Sequence, residues 1–389
     1  MEAFYVFHCD HFYKFPYVKT VYDILPRRSS VNTYSKRRWI AVMVVWLTAV
    51  SCSSPETHLP TNLPQPTDTP LPQSTSTPAP TPVPSDLVWF APNFGSRDYL
   101  ELFTKPEGWS AARSRINVFQ FYADNVIGEG SCPICGDNTF DAFVRADAFR
   151  KLTDWGLAIG LELGPIYPDW DCTSDVVFVN ANKAIQNIES NGGVVTFLSM
   201  DEPLLYGQLD IGGRNCGYDM KETAAVTSHY IERVISAHPR IRVGDIEPYP
   251  HFSIAELEEW ILAIEDKGVT LAFFHLDVDT ERVRVEGQNV AADLQALNRF
   301  CREHQIPFGI IVTSNWTASN SNRAYFDSTM EWIYILKDAI GKPQHVIFQS
   351  WQGPAPSGAH EIPINLPQND PSNYSHVQLI IEGLDVFDQ

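Results

Sequence analysis

Positive charge is scarce in this chain. The 28 Lys and Arg stand against 47 Asp and Glu, a formal charge of −19. Lys14, Lys19, Arg27, Arg28, Lys36, Arg37 and Arg38 all fall in the first 51 residues, so the remainder is more acidic still. Past residue 40 no cluster of Lys and Arg occurs. That excludes a nucleic-acid partner, because phosphate binding needs clustered cations. A membrane-spanning run is missing too: the apolar stretch Ile40 to Val50 is about 11 residues long, where a bilayer asks for about 20. No Gly-rich phosphate loop follows the first apolar run of the folded part, which argues against an open doubly wound nucleotide fold. No cofactor is expected.

What the N-terminus does have is an export pattern. In SKRRWIAVMVVWLTAVSCSS, the cations Lys36, Arg37 and Arg38 precede a short apolar core, as in a secretory signal. Ala49, Val50 and Ser51 then lead to Cys52, which resembles a bacterial lipoprotein box with Cys52 as the lipid anchor. Residues 1–52 are therefore read as an extension plus a signal peptide. Residues 53–85 alternate Pro with Thr, Ser and Gln, the composition of an extended linker. The folded domain is expected over residues 86–389, as a monomer held outside the cytoplasm at the cell surface, or secreted.

The cysteines fit an oxidising compartment, where disulfides persist. Cys132 and Cys135 form a C-x-x-C read as a local loop disulfide, with Cys172 and Cys216 as a second pair. A four-Cys zinc site from the same residues is the alternative. Cys301, in the helical pattern ALNRFCREH, is read as a buried thiol.

From residue 86 on, eight apolar runs alternate with helix-like segments. The runs cover 87–94, 116–124, 157–166, 194–203, 241–250, 269–279, 308–316 and 345–352. Between them lie amphipathic stretches such as DAFVRADAFRKLTDWG and SIAELEEWILAIEDKG. In the latter, Ser253 and Glu256 have the spacing of a capping box. Eight strand–helix repeats in some 300 residues predict an α/β fold of the (β/α)8 TIM-barrel type.

Polar residues gather at the C-terminal ends of these runs, where barrel enzymes build their sites. Side chains alternate along a strand, so residues two apart share a face. Asp245, Glu247 and Tyr249 share one, and His275, Asp277 and Asp279 share another; in the third run Glu162 shares a face with Ala158 and Gly160. Asp201 and Glu202 end the fourth, Asn315 and Trp316 the seventh, Trp351 and Gln352 the eighth. Carboxylates with aromatic platforms are what glycoside hydrolysis requires, since one acid must protonate the leaving oxygen and a second group must complete the displacement. A carbohydrate is the expected partner. His275, Asp277 and Asp279 could alternatively hold a metal in a metal-dependent hydrolase or deacetylase.

The segment MDEPL, with Asp201, Glu202 and Pro203, is similar to the Asn-Glu-Pro that ends the fourth strand of many TIM-barrel glycoside hydrolases. The resemblance implies that Glu202 is the general acid/base and Asp201 its neighbour. It also calls for a nucleophilic Glu after the seventh strand, where this chain reads IIVTSNW and has no carboxylate. Two substitutes present themselves. The adjacent Asp-Glu pair resembles hexosaminidases in which the substrate's own acetamido group assists. Otherwise Glu247 or Asp277 supplies the second carboxylate. Glu162, Tyr249, His275, Asn315, Trp316, Trp351 and Gln352 are then expected to bind substrate. A barrel that binds sugar without cleaving it is the other reading.

Overall fold

The structure is a computed structural model that describes residues 86–389, apart from 129–131, 133–134, 169–170, 209–215, 314–319 and 353–361. The signal segment, Cys52, the Pro-rich linker, Asn315 and Trp316 lie outside the described residues.

Eight strands form where the eight apolar runs predict them. They are β1 (Leu87–Ala91), β2 (Val118–Tyr122), β3 (Ala158–Glu162), β4 (Val195–Asp201), β5 (Arg242–Tyr249), β6 (Phe274–Val278), β7 (Phe308–Val312) and β8 (His345–Gln349). All pairings are parallel and in sequence order, and β8 closes on β1 with Leu87 opposite His345. The chain is thus a closed (β/α)8 barrel.

The helices are α1 (Glu101–Thr104), α2 (Ser110–Arg113), α3 (Phe140–Arg145), α4 (Ala148–Asp154), α5 (Asp175–Ser190), α6 (Pro203–Gln208), α7 (Met220–Ala237), α8 (Ile254–Glu265), α9 (Thr280–Glu286), α10 (Val290–Glu303), α11 (Asn322–Ile340) and α12 (His376–Asp388). The Ser253–Glu256 capping box opens α8, and a second, Asp219 with Glu222, opens α7. The stretch expected as one helix before β3 is two, because Asp147 takes a left-handed conformation (φ 57°) between α3 and α4.

The cysteines pair as Cys132–Cys135 and Cys172–Cys216, and Cys301 is a buried free thiol. The four-Cys zinc alternative is therefore overturned: its four thiols are consumed in two disulfides.

The barrel has two cores. The outer one lies between strands and helices. The inner one is made by Leu87, Trp89, Val118, Phe197, Ile246, Phe273, Ile311 and Ile347, and it identifies the inward face of β1, β2, β4, β5, β7 and β8, with Phe273 just before β6. Trp89 fills its centre, with ring centroids 4.8 Å from Phe197, 5.3 Å from Phe273 and 5.0 Å from His275. Such wide side chains fit only where a neighbouring strand withdraws. A Cβ on Gly309 would sit 2.6 Å from His275 Cδ2 and 2.7 Å from His345 Cβ, closer than van der Waals contact allows. We expect Gly309→Ala to cost about 1–3 kcal/mol through overpacking, read as a lower midpoint in urea unfolding.

Candidate active site

The inward positions of the strands converge on acids at the C-terminal mouth. Glu162 ends β3, Asp201 ends β4 and Asp277 lies near the end of β6. Asp124 follows β2 in a short 3-10 turn, Ala123–Asn125. Glu162 is buried, whereas Asp124, Asp201, Glu202 and Asp277 are half-buried and keep a path to solvent.

Glu202 occupies a sharp elbow between β4 and α6. Its φ is +47°, in the left-handed region that costs a side-chain-bearing residue about 1–3 kcal/mol. Three contacts hold the elbow. The Glu202 N–H donates to the Ile246 carbonyl at 3.0 Å, and the Tyr206 N–H donates to the Glu202 carbonyl at 3.0 Å. Gly164 passes directly beneath: a Cβ there would lie 2.5 Å from the Asp201 carbonyl oxygen.

The first turn of α6 asks for hydrogen-bond acceptors. Pro203 has no N–H to satisfy. Leu204 N–H donates to Glu247 Oε1 at 2.6 Å, and Leu205 N–H also reaches the Glu247 carboxyl. Tyr206 N–H is taken by the Glu202 carbonyl. The cap thus comes from β5, and neither Asp201 nor Glu202 spends its side chain on it.

Glu162 is held by amides. Gln120 Nε2 and Gln349 Nε2 both donate to its Oε2, at 2.6 and 2.7 Å. Ser199 Oγ donates to Gln120 Oε1 at 3.0 Å, and Gln349 Nε2 also donates to the Tyr122 hydroxyl at 3.0 Å. These contacts fix the orientation of both amides, so one oxygen of Glu162 is fully occupied. Near Asp201, the Tyr167 hydroxyl accepts from Gly164 N–H at 3.0 Å, and its ring centroid lies 5.8 Å from that of Tyr206.

Crowded acids resist ionisation. Burial pushes Asp201 up to about 6. Burial, then Asp201, pushes Asp124 to about 7; burial, Asp279 and Asp201 push Asp277 to about 7. Burial and then the neighbouring charges of Asp201, Asp277 and Glu162 hold Glu202 well above the usual carboxylate range. Glu162 is raised for the same reasons, with its two amide donors pulling the other way. Asp201 is thus the more readily ionised of the adjacent pair, and Glu202 is held toward its protonated form. An anion beside a proton donor is an acid/base pair in ready form.

The structure moves several expected site residues elsewhere. Asp245, Glu247 and Tyr249 do share a face, but it is the outer face of β5, because Ile246 between them belongs to the inner core. Asp245 accepts from Trp260 Nε1 of α8 at 2.7 Å, and the Tyr249 hydroxyl donates to Asp293 of α10. Glu247 and Tyr249 therefore do not reach the mouth. His275 faces inward but lies in the inner core, its Nε2 2.9 Å from His345 Nδ1. Burial and the neighbouring imidazole hold its pKa well below the usual histidine range. Asp279 is exposed and caps α9 through Arg282 N–H at 2.9 Å. The metal triad His275–Asp277–Asp279 is thus dispersed, and among the described residues no group of three or more His, Cys, Asp or Glu could hold a metal ion. Gln352 is buried, its backbone bridged to Ile362. Trp351 is half-buried against the inner core.

Asp124, Tyr167 and Gln120 did not stand out in the sequence. Parity would have found Gln120, which shares an inward face with Val118 and Tyr122, whereas Asp124 follows in a 3-10 turn beyond the strand's alternation. Tyr167 lies in a loop beyond β3, where no periodicity operates.

No protein-family model matches the chain, and no curated protein does. Among solved structures, it is similar to a glucosidase from Croceicoccus marinus at 14% identity and TM-score 0.45, over 77% of this chain and 67% of that one. It is also similar to GH5_18 from Streptomyces cattleya in complex with GlcNAc, at 8% identity and TM-score 0.48, over 78% and 81% of the two chains. A psychrophilic glycoside hydrolase family 10 endo-β-1,4-xylanase is similar at 11% identity and TM-score 0.44, over 76% and 96%. Likenesses this distant are of fold alone.

The raised carboxyls make stability depend on pH with a definite sign. A carboxyl whose folded pKa is raised keeps a proton that the unfolded chain releases. Its contribution is complete below the ordinary value near 3.8 and fades as pH climbs to the folded value of about 7. Asp277→Asn should therefore match the native Tm at pH 4 and exceed it at pH 8 by about 3 °C or more. Scanning calorimetry at the two pH values reads the difference.

Proposed function

We propose that this protein is a glycoside hydrolase, with Glu202 as general acid/base and Asp201 as its anionic partner. The observation that carries this reading is the release of Asp201 and Glu202 from helix capping at the barrel mouth. Two adjacent acids with divergent proton affinities stand there on a strained elbow. The signal and linker sequences support export, with tethering at the cell surface through Cys52.

Glu202, held toward its protonated form, gives its proton to the glycosidic oxygen as the bond to the anomeric carbon breaks. Asp201, ionised, faces the positive charge that grows on the sugar ring. The run IIVTSNW offers no carboxylate after β7, so the displacement needs another nucleophile. A 2-acetamido sugar carries its own: its carbonyl oxygen attacks the anomeric carbon while Asp201 accepts the amide N–H. Water then opens the ring so formed, with Glu202 as base taking its proton. For a substrate without that group, Asp277, one of the inward-facing carboxylates, would act instead. Glu162 and Trp351 would contact the sugar.

Glu202→Gln should lower kcat by about 10²-fold or more on glycosides with poor leaving groups, and by far less on nitrophenyl glycosides, which need little protonation. Steady-state kinetics on both substrate types, including N-acetylhexosaminides, decides it. Equal activity of the variant and the native protein on poor leaving groups would sink the assignment. The pH profile of kcat/KM should have its acid limb near 6, set by Asp201, and should lose that limb in Asp201→Asn.

A further inference from the structure

We infer that Glu247, though it never meets the sugar, is the residue that positions the acid Glu202. This rests on the reading of Glu202 as proton donor. Glu247 is fully buried behind β5, and its Oε1 accepts the Leu204 N–H at 2.6 Å, two residues beyond Glu202. The same carboxyl reaches the Leu205 N–H.

The elbow itself gives the reason such a residue is needed. Glu202 is held at φ +47°, a conformation that persists only where its surroundings over-determine it. An Asp or Glu at the start of a helix ordinarily turns its carboxylate back onto the first free N–H groups. Here the strand-4 acids stand next to two such groups. Were those groups left open, Asp201 or Glu202 would be drawn down to cap them and lost to the mouth. Glu247 occupies them first. Its neighbour Ile246 accepts the Glu202 N–H, so β5 fixes both sides of the elbow with consecutive residues.

The other oxygen, Oε2, is buried without a hydrogen-bond partner among the described residues. Burial, then the adjacent Asp245, pushes the Glu247 pKa well above the usual carboxylate range. What the helix requires of the group is an oxygen at this reach that accepts the N–H bond. An amide of the same length can do the same work, whereas a shorter acid cannot.

Two variants separate positioning from chemistry. Glu247→Gln keeps the reach and loses the acid; Glu247→Asp keeps the acid and retracts the acceptor by about 1.5 Å. For a positioning role, Glu247→Gln should stay within about fivefold of the native kcat, while Glu247→Asp should lose about 30-fold or more with KM nearly unmoved, the mark of a misplaced catalytic group. Hydrogen exchange at the Leu204 and Leu205 amides should stay slow in Glu247→Gln and become at least about tenfold faster in Glu247→Asp. The reverse order in kcat, with Gln inactive and Asp active, would overturn the inference and make Glu247 an acid or base in its own right. Unchanged exchange in Glu247→Asp would also overturn it. Exchange is read without any substrate, so it judges the cap even if the native protein cleaves no glycoside, a result that would defeat the hydrolase reading alone.

Discussion

One hydrogen bond organises the mouth of this barrel: Leu204 N–H to the buried carboxyl of Glu247. A strand that ends in two acids and runs straight into a helix would ordinarily use those acids as the helix cap. Satisfying the helix from the next strand removes that need. The acids are then kept at the strand ends by backbone alone, through Ile246 on one side and Gly164 on the other. Local strain at Glu202 is the cost of this arrangement, and the rigid parallel sheet beneath bears it.

The sheet can do so because its interior is filled. Trp89, Phe197 and Phe273 form the plug under the mouth, and the His275–His345 pair adds a neutral polar contact within it. Burial holds both imidazoles in their uncharged form. Above this dry layer the acids share one small volume, so each raises the proton affinity of its neighbours. The same crowding that destabilises the ionised barrel holds Glu202 toward its protonated form beside the more readily ionised Asp201.

Much of the fold was legible in the sequence. The eight strands, the barrel, the Ser253–Glu256 box and the Cys132–Cys135 pair follow from local patterns that need no tertiary knowledge, whereas the Cys172–Cys216 pair spans 44 residues and was open until the fold brought the two together. The faces of β5 were not legible. Alternation shows that Asp245, Glu247 and Tyr249 lie together, but not whether they look inward or outward, and Ile246 decides that only once the inner core is assembled. His275 misled for a related reason: parity gives the face of a strand but not the depth along it, and His275 stands one step too deep. Asp124 lay in plain view at the end of INVFQFYAD, yet a single acid after an apolar run carries no distinguishing mark. The break at Asp147 depends on one left-handed residue inside an otherwise helical pattern.

The Cys172–Cys216 bond joins segments 44 residues apart, and the chain between them holds α5, β4 and α6. Asp201 and Glu202 therefore sit inside a covalent ring. Where a protease cuts an exposed loop within that ring, the two pieces stay attached to each other. The chain can be nicked beside its proposed proton donor and still remain one molecule.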